Sequence, residues 1–198
     1  MILVIIVLMT SFIQVKAQKI ELSPLIGYET GAYIHYSAGQ LHIIGGMNYG
    51  GSLNVGMGGG RYVELSYTHM AGSLDNETAG RTEKLADLGV DYYSAGVLQE
   101  MRPDAKATPY GMFTLGVVNY RPSEDYVHEN KMHISLAGGI KINASEKVGI
   151  RLQARLLMPL WYSGTYFTVG TGGAGYGVSG GIYGVQGDFT AALVIKIR

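Results

Sequence analysis

Val148-Gly149-Ile150-Arg151-Leu152-Gln153-Ala154-Arg155-Leu156-Leu157-Met158 is the stretch on which the fold turns. Val148, Ile150, Leu152, Ala154, Leu156 and Met158 fall on one parity, and Arg151, Gln153 and Arg155 on the other. A period of two held over ten residues places successive side chains on opposite faces of a strand. It is also long for a strand of a soluble protein.

The same alternation recurs on both sides of this stretch. Met47, Tyr49, Leu53, Val55 and Met57 oppose Asn48, Ser52 and Asn54, and Val63, Leu65 and Tyr67 oppose Glu64, Ser66 and Thr68. Met132, Ile134, Leu136, Ile140 and Ile142 oppose His133, Ser135 and Lys141. Phe189, Ala191, Leu193, Ile195 and Ile197 oppose Asp188, Thr190 and Lys196. Strands are expected near 19–30, 46–57, 62–73, 86–99, 108–120, 131–142, 148–160 and 183–197, the first interrupted by Pro24.

Composition agrees. Thirty glycines and fifteen tyrosines against five prolines suit twisted strands far better than a helical bundle, in which each interior glycine costs about 1 kcal/mol. The absence of cysteine excludes disulfides, thiolate metal sites and a cysteine nucleophile. Fifteen basic and fifteen acidic side chains balance, so nothing marks a nucleic-acid partner. The five histidines have no metal spacing, and Gly170 to Gly175 matches a dinucleotide fingerprint without the strand–turn–helix that it requires. No cofactor is expected.

Ile2 to Ile13 is apolar but too short to span a bilayer as a helix, and Val15 and Ala17 fit a signal-peptidase site. Residues 1–17 are therefore expected to be a signal peptide and residues 18–198 the mature domain. No basic residue precedes the apolar run.

Short connections at 58–61, 102–106 and 144–147 alternate with long ones near 31–45, 74–85, 121–130 and 161–182. That asymmetry is expected of a transmembrane barrel whose long loops face outward. The reading is all-β: an eight-stranded antiparallel up-and-down transmembrane β-barrel in the cell outer membrane. Outer-membrane lipid would meet the apolar face, and an extracellular or envelope protein is a candidate partner for the long loops. Glu64, Asp87, Asp91, Lys141, Arg151, Arg155 and Lys196 are expected to pair as a charge cluster filling the lumen. Tyr28, Tyr49, Tyr120 and Tyr162 are expected at the outer rim.

Over the whole mature chain, ending in the strand Asp188 to Arg198, this pattern resembles the small outer-membrane β-barrel proteins, among them the OmpA membrane domain, OmpX and OmpW. Such barrels usually end in an aromatic residue, where this one has Ile197-Arg198. The resemblance implies a non-enzymatic barrel with a plugged polar interior, its exterior loops serving envelope integrity or surface interaction. A narrow pore or a carrier of small hydrophobic ligands is the alternative. His133-Ile134-Ser135 also resembles the His-x-Ser pair of lipid A deacylases, which would make Ser135 a nucleophile and His133 its base. The asparagine that follows the serine in that family is Leu136 here.

Overall fold

The computed structural model describes residues 19–197 apart from 37–38, 79–80, 104, 124–128, 171–172 and 183–184. The expected signal peptide and Tyr162's side chain lie outside the described part. Eleven strands follow in order: β1 (Ile20–Glu29), β2 (Ala32–Tyr36), β3 (Gly39–Ile44), β4 (Gly46–Gly58), β5 (Arg61–Thr78), β6 (Arg81–Glu100), β7 (Ala107–Pro122), β8 (Glu129–Asn143), β9 (Val148–Gly170), β10 (Gly173–Ile182) and β11 (Gln186–Lys196).

Eight of them are staves of one closed antiparallel barrel, in the order β5-β4-β1-β11-β9-β8-β7-β6 with β6 paired back to β5. The stretch quoted above begins β9, between β8 and β11. The remaining strands are additions at the long-loop end. The β2–β3 hairpin pairs with the upper part of β5, and β10 folds back along the upper part of β9. Segments expected as loops near 31–45, 74–85 and 161–182 are thus largely β-ribbons. Their ladders form along the upper ends of the staves and their own hairpin partners, which supply the template.

The short turns lie at the opposite end. Gly58, Gly59 and Gly60 all take positive φ (87°, 63° and 73°), a conformation that costs a side chain but not glycine. One ladder row, followed once around, measures the stagger. It runs Ile140, Leu152, Ala191, Ile26, Tyr49, His69, Asp91, Asn119 and returns to β8 at Asn130, ten residues from its start. With about 3.3 Å per residue and about 4.8 Å between strands, that stagger tilts the staves roughly 40° from the barrel axis.

The outer wall is apolar. Leu22, Ile26, Leu53, Leu65, Val97, Leu115, Leu136, Leu152, Leu156 and Leu193 are exposed on it. Buried residues of the other parity fill the lumen. In a soluble barrel those aliphatic side chains would be inside.

Candidate functional site

Three groups of charges cross the lumen at successive depths. Nearest the short turns, Lys141 Nζ donates to Glu21 at 2.8 Å and to Glu100 at 2.5 Å, and lies 4.6 Å from the centre of the Tyr62 ring. Above it Arg151 donates to Glu64 at 2.5 Å and to Ser52 at 3.0 Å, beside Tyr110, whose hydroxyl donates to Gln153. Above that Arg155 Nε donates to Asp188 at 2.7 Å, and the amide of Asn48 donates to the other oxygen of the same carboxylate. Each of these charged side chains is almost fully buried. Removing such ions from water costs several kcal/mol each, so the arrangement holds only because every one of these charges meets an opposite one, Lys141 being shared by two carboxylates.

Glu29 closes the series, accepting from the Tyr92 hydroxyl at 2.7 Å. Met70, Leu88, Val90, Tyr92, Val118 and Leu157 form an apolar cluster at the long-loop end, with Tyr120 packed against it. A second cluster of Tyr62, Leu98, Tyr110 and Met112 lies toward the short turns. Salt bridges and apolar side chains are thus interleaved through the lumen, with a cavity of about 410 Å³ beside Lys141 at the short-turn mouth.

Glu64, Lys141, Arg151 and Arg155 are therefore inside and paired. Lys196 is half-buried at the short-turn mouth, where it donates to Asn143 at 2.8 Å. Two members of the expected cluster are elsewhere, and the sequence reading is corrected there. Asp87 is exposed, and Asp91, although 1% exposed, is on the outer wall. On β6 the inward parity belongs to Leu88, Val90, Tyr92 and Ser94. The reason is physical: the upper lumen is apolar, while the upper outer wall has reached polar surroundings, so polarity changes sides with height. Tyr120 is corrected for the same reason, since it packs inward.

Sequence reasoning omitted Glu100, which lies one residue beyond the expected end of its strand. Its inward parity with Ser94 and Leu98 was the available signal. Glu21 and Asp188 lie on the inward parity that alternation gives them.

His133 and Ser135 share the inner face but do not form a pair. His133 Nε2 is 3.0 Å from Ser94 Oγ, and the Ser135 hydroxyl is 2.5 Å from that of Thr114. The His133 ring fills the space above Gly116, where a Cβ would strike it. Both side chains are buried, so an acyl substrate on the lipid side has no approach to them.

Asp91 organises a second polar group, on the outside. It accepts from the Tyr67 hydroxyl at 2.8 Å, lies 2.8 Å from His69 Nδ1, and is ion-paired to Arg121. Tyr49 packs beside His69 with ring centres 5.2 Å apart, and Tyr67 lies 5.1 Å from Tyr93. Among the described residues no group of His, Asp or Glu is arranged to hold a metal.

The closed eight-stave barrel has counterparts in overall fold among solved structures. OprG from Pseudomonas aeruginosa matches with a TM-score of 0.62 at 10% identity, covering 90% of this chain and 95% of that one. This is the fold of a small outer-membrane β-barrel. Neisserial surface protein A matches at 0.56 and 12% identity, over 92% of this chain and 98% of that one. Ail of Yersinia pestis, solved with the heparin analogue sucrose octasulfate, matches at 0.51 and 12% identity, over 90% and 99%. No protein-family model and no curated protein matches the sequence. The fold and the apolar wall put the chain in the cell outer membrane.

Proposed function

We propose that this barrel is a non-enzymatic surface protein, with a sealed stem and with exterior ribbons that make contact with an envelope or extracellular partner. The observation that supports the reading is the lumen, where Lys141, Arg151 and Arg155 are each locked to buried carboxylates, interleaved with apolar side chains. An eight-stave barrel encloses little more than side chains, and above a mouth cavity of about 410 Å³ beside Lys141 the paired charges and apolar clusters cross it. Passage of solutes would require breaking several buried ion pairs at once. That leaves the ribbons, where functional variety sits on barrel folds. Ail, of the same fold at low identity, was solved with a sulfated sugar bound, which is in keeping with a barrel that presents ligand-binding surface.

The ribbons differ in sequence. The β5–β6 ribbon carries Asp75, Glu77, Arg81, Glu83 and Lys84, whereas residues 161–186 contain no charged residue. The test replaces 75–84, and separately 161–182, with short turns. Each product is expected to keep the heat-dependent gel shift of a folded barrel, while one or both lose adhesion to cells or resistance of the envelope to detergent. Planar bilayers containing the intact protein are expected to show no unitary conductance. A steady conductance that Arg151→Ala alters would replace this reading with the narrow pore.

A further inference from the structure

The outer wall is not equally tall all the way around. On β4 the exposed apolar run extends from Met47 to Met57, and on β11 from Phe189 to Ile197. On β5 and β6 it is bounded by two polar rows that pair across the strands, Arg61 with Gln99 and His69 with Asp91. Eight residues separate the rows on each strand, with only Val63, Leu65 and Tyr67 on one and Tyr93, Ala95 and Val97 on the other facing outward between them. At a tilt of roughly 40° that is about 20 Å along the membrane normal, short of the band of about 25 Å that such barrels present.

Two more features lie on this wall. A shallow furrow of about 580 Å³ runs up it, lined by Gly51, Leu53, Leu65, Ala95 and Leu115 and ending at Tyr67 and Tyr93. Directly above is the polar group on Asp91. Its carboxylate already accepts from Tyr67 and Arg121 and lies against His69 Nδ1, so the donors left over are those on the far side of the Arg121 guanidinium. The Arg121 side chain is 48% exposed. A comparable furrow of about 690 Å³ lies on the β1–β11–β9 side, lined by Ile26, Tyr28, Ile140, Leu152, Ala154 and Ala191; neither lining holds a charged residue, and the charges stand above the first.

We propose that the β5–β7 wall binds one lipid of the outer leaflet with a net-anionic phosphate head group, its chain in the furrow and its phosphate on Arg121, which Asp91 and His69 hold in place. The shortened band draws the head group down to the depth of these donors, and Tyr67 and Tyr93 mark the boundary between chain and head. Guanidinium is the side chain best shaped to grip phosphate oxygens. Asp87 is exposed two residues above Gly89, the residue paired with Arg121, and its negative charge sets the direction of one test.

The experiment is native mass spectrometry of the folded barrel released from micelles containing equal phosphatidylglycerol and phosphatidylcholine. Wild type is expected to keep one phosphatidylglycerol in preference to phosphatidylcholine. Arg121→Gln should reduce that retention by about tenfold, the scale of losing a charged hydrogen bond. His69→Gln should reduce it less, and Asp87→Asn should raise it. Ala95→Phe, which fills the furrow, should reduce retention, whereas Ala154→Phe in the other furrow should leave it unchanged. Only variants that show the heat-dependent gel shift are compared, so a misfolded barrel is not counted as lipid loss. Equal retention of the two lipids by wild type, or full retention by Arg121→Gln or Ala95→Phe, overturns the proposal. The outcome does not depend on what the ribbons bind.

Discussion

Two arginine–carboxylate pairs of the same chemistry sit on opposite sides of this barrel wall. Arg151 and Glu64 are in the lumen, 2% and 1% exposed, with Ser52 and Tyr110 around them. Arg121 and Asp91 are outside, with the carboxylate buried and the arginine half in the open. The lumen pair has nothing but protein to answer its charges, so its worth lies in completeness, and losing one member strands the other. The outer pair stands where the bilayer turns polar. There water and lipid head groups share the work, and the guanidinium keeps donors for something else.

The sharpest way to break that contrast is Arg151→Ala. It leaves Glu64 buried without its cation and is expected to cost about 3–5 kcal/mol in urea unfolding of the barrel in vesicles, followed by the gel shift. Leu152→Arg tests the side of the wall rather than the pair, since residues 151 and 152 are neighbours on opposite faces. A charge on the lipid side near mid-membrane is expected to cost about 2–4 kcal/mol in the same assay. Wild-type stability in that variant would mean that inside and outside are reversed. The double change Arg151→Met with Glu64→Leu removes both lumen charges and should lose much less than Arg151→Ala alone, by about 1 kcal/mol or not at all. A double variant as damaged as the single one would show that the pair matters for more than mutual neutralisation. Arg121→Ala comes last: as a part-exposed pair it is expected to change stability by less than about 1 kcal/mol.

The contrast also shows which parts could be read from residue order. Alternation alone put Arg151, Arg155, Glu64 and Lys141 on one face, because an unbroken strand cannot change parity. Asp91 was misplaced by equating polar with inward, a rule that fails above the apolar belt. Counting back from Val97, Ala95 and Tyr93 would have put it outside. The identity of partners was beyond reach, since Arg155 meets an acid 33 positions away, Arg151 one 87 away and Lys141 one 120 away. Those distances follow from the stagger, which no single strand records. The ribbons were misread as loops because their ladders depend on a neighbouring stave and not on their own apolar pattern.

The row that climbs ten residues in one circuit has a consequence for assembly. Closure depends on β1 meeting β11, with Leu22 opposite Ile195 and Tyr28 opposite Phe189, almost the full length of the domain apart. Neighbouring staves are joined by hairpins and form from local contacts, but this seam must close the longest loop in the chain and meets the slowest kind of search. Until it forms, β1 and β11 each present a bare edge that can recruit a strand from another molecule. The ladder is interrupted there as well, at Ser23 and Pro24, whose ring has no N–H to donate. Assembly is therefore expected to be all-or-none in its final step, with an open sheet as its most aggregation-prone species.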